Sequence, residues 1–328
     1  MIAGGERFGV LLMTYGSPSS LDDVRRYLTA VRGGREPGEE LVTEFRRRYE
    51  LIGGSPLIAI SVSQTAALEA RLGDRAVVRA AMRFSAPTIG DQMRALADAG
   101  IERVVAIVMS PQYSDLLMGG YRRTIETALS ELDRPMSVDL AGAWHLETPF
   151  IAALAERIET ELQRFAADVR DEVPVLLTAH SLPRRVAEQE PDYIDQLHAT
   201  AAAVADRAGL DVGQWRFCWQ SAGHEPGEWM KPDFADLMPE LAAAGARSVV
   251  VAPVQFLADH LEILYDIDVG AREQAAAAGL DFARIDSLNA DAGLIEALAS
   301  VAERTWGQTA SGATEKEMEL DRAAVGDR

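Results

Sequence analysis

The chain has 328 residues, 48% of them apolar and 25% charged, the balance of an ordinary soluble protein long enough for two cores. Its formal net charge of −19 argues against nucleic acid or anionic membrane as a partner, since both are polyanions. Cys218 is the only cysteine, which excludes an internal disulfide, a thiolate zinc site and a cysteine-ligated iron–sulfur cluster.

The N-terminus lacks a basic segment followed by an apolar core, and no apolar run approaches the ~20 residues that span a bilayer. The expectation is a cytoplasmic protein with no membrane span of its own. Along the chain, short β-branched runs at Phe8–Met13, Val104–Met109, Val175–Ala179 and Ser248–Ala252 read as buried strands. Helical periodicity at Asp91–Ala99, Phe150–Phe165 and Tyr193–Ala208 lies between or beside them. This alternation predicts an α/β protein with parallel sheets covered by helices. From Thr309 the chain is polar, alanine-rich and charged without an apolar period, which predicts a disordered tail over 309–328.

An internal repeat refines the fold. Val10-Leu-Leu-Met-Thr-Tyr-Gly-Ser-Pro18 aligns without a gap on Val175-Leu-Leu-Thr-Ala-His-Ser-Leu-Pro183. Ala99–Tyr113 aligns on Ala244–Phe256 with a two-residue gap. The period is far too long for a solenoid and instead predicts two similar Rossmann-like, doubly wound domains, 1–165 and 166–308. In that alignment Tyr15 and His180 hold the same position, just past a strand, so two facing domains would present them to one cleft.

His180 can offer a neutral imidazole as metal ligand or proton acceptor, although a lone histidine is more often structural. Beyond the strand Ser248–Ala252, the apolar Leu257, Leu261 and Leu264 predict an amphipathic helix. Asp259, Glu262, Asp266 and Glu273 would lie roughly in line on another side of it. That row is either a solvated face or a functional one, and on the same helix His260 would point away from it. A histidine and a carboxylate do not close a structural metal site, so an open, transient site fits better. His145 and His198 read as surface or packing residues. His224 sits in the Gly- and Pro-rich loop Trp219–Trp229, whose tryptophans either line a ligand or close a domain edge. In the first half, Arg32, Arg46-Arg47-Arg48-Tyr49 and Gly53-Gly-Ser-Pro56 form a basic cluster suited to carboxylate capture, or one solvated helix face. No P-loop, GxGxxG or GxSxG motif is present, so nucleotide binding and serine hydrolysis are unsupported.

Taken together, Arg48-Tyr-Glu-Leu-Ile-Gly-Gly-Ser-Pro56, His180-Ser-Leu-Pro183, Trp219-Gln-Ser221 and Phe256-Leu-Ala-Asp-His-Leu-Glu-Ile-Leu-Tyr-Asp266 resemble the ferrochelatase family. The likeness runs from about Val10 to Trp306 and lies closest to the soluble coproporphyrin III branch. It implies two Rossmann-like domains around a porphyrin cleft and insertion of Fe2+ into coproporphyrin III in haem biosynthesis. By resemblance, His180 and Glu262 handle iron and the pyrrole protons, and Tyr15 faces the metal from the other side. Arg32, Arg48, Tyr49, Ser55 and Tyr121 are the implied porphyrin-holding residues. Two departures stand out: the Gly-Gly-Ser-Pro turn is one residue short of the usual form, and Arg83-Phe84 replaces a Lys-His pair found in some soluble members. The expected partners are the porphyrin and ferrous iron, with no resident cofactor, a monomeric state and transient contact with neighbouring haem-pathway enzymes. The alternatives are a protoporphyrin IX ferrochelatase, a sirohydrochlorin chelatase, from which Tyr15 in place of a second histidine points away, and a non-catalytic haem carrier.

Overall fold

The computed structural model describes residues 7–223 and 227–325, with side chains described as far as residue 308, so His224 lies outside the described residues. The first strand is Phe8–Thr14 (β1), without a polar side chain before Thr14 and buried almost end to end. Helices Val24–Val31 (α1), Glu39–Leu51 (α2) and Leu57–Leu72 (α3) follow, then strand Ala76–Met82 (β2). Helix Ile89–Asp98 (α4) starts where the Thr88 hydroxyl accepts the Asp91 amide, and strand Arg103–Val108 (β3) comes next. Ser114 caps Asp115–Ser130 (α5) in the same way, before the short strand Ser137–Leu140 (β4) and helix Thr148–Leu162 (α6).

The second half repeats the plan: Val175–His180 (β5), Arg184–Gln189 (α7), Pro191–Arg207 (α8), Trp215–Gln220 (β6), Phe234–Ala243 (α9), Ser248–Pro253 (β7). Next come Leu261–Leu264 (α10), a π-helical segment Asp266–Ala271, Arg272–Ala277 (α11), Asp281–Arg284 (β8) and Ala292–Val325 (α12).

Among the described residues the strands form two four-stranded parallel sheets, ordered β2-β1-β3-β4 and β6-β5-β7-β8. The sequence repeat is reproduced down to register. Val10 pairs with Val105 in the first sheet, and their repeat equivalents Val175 and Val250 pair in the second. In each sheet the strand order reverses beside the first strand, which leaves a crevice at the carboxyl ends of β1 and β3 and of β5 and β7. Tyr15 lies directly beyond β1, and His180 ends β5.

One hydrophobic core runs through both halves, joining Phe8, Val10 and Leu12 of β1 to Val175 and Leu177 of β5 through α6, α8 and α12. The first part of α12 packs on α3 and α6, and Trp306 stacks on Phe8 at 4.6 Å between ring centroids. So the end of the packed chain lies against its beginning. The backbone of α12 is helical through 309–325. Alanine, glutamate and lysine favour helix, and elongating an anchored helix avoids the nucleation cost. One expectation changes. The single helix expected beyond β7 is instead α10, a π-helical segment and α11, a pattern that apolar spacing does not reveal.

Candidate active site

Both crevices open into one cleft of about 1730 Å³, lined by Tyr15, Tyr27, Tyr49 and Tyr121 from the first half and by His180, His260 and Glu262 from the second. The strand end that carries His180 is held firmly. Its backbone N–H donates to Gln255 Oε1 at 2.7 Å, and Gln255 Nε2 donates to the Tyr193 hydroxyl at 2.7 Å. The imidazole Nδ1 contacts the Ser181 carbonyl oxygen at 2.5 Å. A carbonyl can only accept, so Nδ1 carries a hydrogen and Nε2 is the ring nitrogen turned to Glu262 and the cleft.

Glu262 lies in the short helix α10, with Oε2 3.6 Å from His180 Nε2 and 3.8 Å from His260 Nε2. Burial works against a charge here, yet the two imidazoles more than offset it and hold the Glu262 carboxyl down at about 2. The reciprocal effect acts on His260: burial disfavours its charge, but its bond to Glu262 raises its pKa overall. His260 was expected to point away from the acids. It instead precedes α10 with extended backbone, φ −159°, and its ring tilts against Phe256 at 5.2 Å between centroids. Helical spacing does not apply to a residue outside the helix, so the sequence reading missed it. Gln255, Tyr193, Tyr27, Arg35 and Gln64 also line the cleft and were not singled out.

The acidic row does not form a single face. Asp259 is turned away into a brace: its carboxylate accepts from Ser287 Oγ at 2.7 Å and Asn289 Nδ2 at 3.0 Å, and its own amide donates back to Asn289. Arg284 completes the brace through a bidentate pair with Asp268, at 2.7 and 2.9 Å. Asp266 faces Ser221 and lies 3.8 Å from Arg48, and burial first, then the Glu262 charge, raise its pKa. Glu273 is exposed in α11.

On the opposite wall burial raises the pKa of Tyr15, Tyr27, Tyr49 and Tyr121, so all four phenols stay protonated and act as donors. Tyr15 is half exposed to the cleft and meets Phe84 and Tyr121 edge to face, at 4.9 and 6.4 Å between centroids. Arg83 lies over Phe84 at 4.6 Å and near the Tyr121 and Tyr15 rings, at 5.4 and 6.0 Å. Its guanidinium occupies the place where any residue but glycine would put a Cβ at position 120, only 1.8 Å away. Arg83-Phe84 therefore builds an aromatic backing for Tyr15.

Arg32 and Ser55 line the cleft as expected. Arg48 is not among the lining residues. Its Nε donates to Glu44 at 2.8 Å, and its guanidinium lies over Tyr265 at 4.8 Å, bridging α2 to the second half. Arg46 donates to the Leu21 carbonyl and Arg47 to Glu44 and Tyr265, so the arginine run is taken up by neighbours. His145 is half-buried, and His198 packs on Phe217 at 4.4 Å between centroids, in accord with packing roles. Trp219 is buried against Phe217, which favours its reading as a domain edge.

Among the described residues no three His, Cys, Asp or Glu side chains converge to cage a metal ion. His180 and Glu262 offer two donors at the cleft wall, enough to take an ion in passing or to accept protons.

Residues 7–306 match the family model described as Ferrochelatase. Ferrochelatase of Deinococcus radiodurans is 39% identical over 306 residues, covering 92% of this chain and 97% of that protein. Coproporphyrin III ferrochelatase of Geobacillus kaustophilus is 35% identical over 307 residues, covering 92% and 96%. Among solved structures, SirB from Bacillus subtilis with Fe3+ superposes with a TM-score of 0.58 at 11% identity, over 91% of this chain and 95% of SirB. That last likeness concerns the fold alone.

Proposed function

The chain belongs to the ferrochelatase family, a family of metal chelatases, and we propose that it inserts Fe2+ into coproporphyrin III to give Fe-coproporphyrin III in haem biosynthesis. One observation carries the reading: a half-buried His180–Glu262 pair and a wall of protonated tyrosines meet in one cleft large enough for a macrocycle.

Metal insertion exchanges one Fe2+ for the two inner N–H protons of the porphyrin. The ring must bend to expose those protons, and a cleft with stiff walls can hold it bent with binding energy from its propionates. His180, as the neutral imidazole, presents Nε2 to the cleft, takes one pyrrole proton, passes it to the solvent its side chain still meets, and then takes the second. The Glu262 carboxylate keeps its charge beside it and stabilises the imidazolium so formed. The same carboxylate, with the imidazole, can receive the incoming ion and ease its loss of water. Tyr15 meets the other ring face as a neutral hydroxyl, and Tyr49, Tyr121 and Ser55 add neutral donors toward the propionates. Arg32 supplies the charge for them. Ferrous iron is the substrate, so no resident cofactor is needed, and Cys218 alone cannot ligate an iron–sulfur cluster. Among the described residues no helix is long and apolar enough to cross a membrane.

The test is anaerobic absorbance of wild type and His180→Ala offered Fe2+ with coproporphyrin III or protoporphyrin IX. The expectation is faster insertion into coproporphyrin III and a loss of roughly 10²–10⁴-fold in His180→Ala, the usual worth of a positioned acid–base group. Equal wild-type rates with both porphyrins would sink the substrate reading, and full activity in the variant would sink the mechanism.

A further inference from the structure

The loss of Arg48 to Glu44 and Tyr265 leaves the tyrosine wall with less carboxylate-binding charge than the sequence implied. Among the described residues, the arginines lining the cleft are Arg32 and Arg35 on that wall and Arg184 and Arg185 on the histidine wall. Arg32 and Arg35 flank two left-handed glycines, Gly33 and Gly34, and Arg35 Nε donates to the Arg32 carbonyl at 3.2 Å. Arg184 and Arg185 begin α7, four and five residues beyond His180.

The turn carrying this second pair is fixed at several points. The Arg184 amide donates to the Glu228 carbonyl at 2.8 Å, Pro183 bridges Trp229, and Met230 donates to Leu182 at 2.9 Å. Ser181 Oγ donates to the Met230 carbonyl at 3.1 Å. The backbone that presents the arginines is therefore set relative to His180 before any ligand arrives. The Arg184 guanidinium already engages carboxylates, with NH1 3.3 Å from Glu228 and Nε 3.6 Å from Glu188, both of which line the same cleft. These three side chains are 64 to 79% exposed, and such surface pairs contribute little, so an incoming carboxylate can replace either partner.

Resting on the chelatase reading of this cleft, we propose that Arg184 and Arg185 form a second carboxylate-binding rim, on the histidine wall, that selects porphyrins bearing carboxylates beyond one edge of the ring. A porphyrin with two propionates on neighbouring pyrroles satisfies one arginine pair. A porphyrin with a propionate on every pyrrole engages both pairs and is held from both walls while His180 works on its centre. The histidine wall thus contributes to substrate choice as well as to proton transfer.

The experiment measures Kd by porphyrin fluorescence quenching, without iron, for coproporphyrin III (four propionates) and mesoporphyrin IX (two). Wild type is compared with the full-length double variants Arg184→Gln/Arg185→Gln and Arg184→Lys/Arg185→Lys. The glutamine pair is expected to weaken coproporphyrin III binding roughly tenfold and mesoporphyrin IX by less than about twofold, and the lysine pair to retain most of the preference. An unchanged ratio of the two Kd values in the glutamine pair overturns the rim, as does an equal loss for both porphyrins. Iron insertion by wild type, read separately, keeps the two ideas apart: binding of both porphyrins with insertion into neither overturns the chelatase reading instead.

Discussion

The two walls of the cleft come from sheets of the same strand order and register, yet they carry opposite chemistry. At the end of β1 stands Tyr15, backed by Phe84, Tyr121 and Arg83, among phenols that burial keeps protonated. At the equivalent end of β5 stands His180, next to a carboxylate held in its charged form. One wall offers hydroxyls that keep their protons, and the other accepts protons. The duplicated scaffold fixes where a side chain is delivered, and the identity of that side chain fixes what happens there.

The strongest way to break the contrast is Glu262→Gln, which keeps the shape and removes the charge that the histidine wall is built around. Iron insertion is expected to fall by roughly 10²-fold or more, while circular dichroism stays that of wild type. Retention of most activity would show that His180 alone distinguishes the walls.

A smaller effect concerns stability against pH. Glu262 falls from its ordinary 4.5 to about 2 on folding, so its contribution is present above about pH 4.5 and disappears as pH drops toward 2. His260 moves the other way, upward from 6.5, so its contribution is complete below about pH 6.5 and is lost as pH rises through its folded value. Together they stabilise most between about pH 4.5 and 6.5, where both groups are charged in the folded protein. Thermal melts of wild type and His260→Gln across pH 4 to 9 measure this. The gap between the two curves is expected to narrow as pH rises past 6.5 through the raised folded value of His260, and a constant gap would mean that His260 acts by packing alone.

The smallest change is expected on the other side. Tyr15→Phe removes one neutral donor from a ring still supported by Phe84 and Tyr121, so kcat should fall by less than about tenfold. Neither limb of the pH–rate profile should move, because the phenol does not titrate in the working range. A displaced limb would place a titrating group on the tyrosine wall and dissolve the distinction.

The central strands β1, β3, β5 and β7 were legible because buried parallel strands are continuous apolar runs. Their partners β2, β4, β6 and β8 were not, since Arg79, Asp139, Arg216 and Asp281 interrupt the pattern in strands that meet solvent on one side. The repeat revealed the equivalence of Tyr15 and His180, which no single motif would have given. Helical spacing failed at His260 and Asp259, because the chain is extended at His260 and the helix begins only at Leu261. It failed again past Tyr265, where the backbone turns π-helical. Arg48 looked available for a ligand because Glu44 and Tyr265, which hold it, lie on its own helix and far along the chain.

The stacking of Trp306 on Phe8 bears on how the protein is made. Val10 and Leu12 of β1 share their core with Leu294, Leu298 and Val301 of α12, residues synthesised some three hundred positions later. A nascent chain carrying only the first half therefore leaves the ribosome with part of that sheet face bare. Its first strand waits for the last helix, and during that wait the emerging chain has most need of a chaperone.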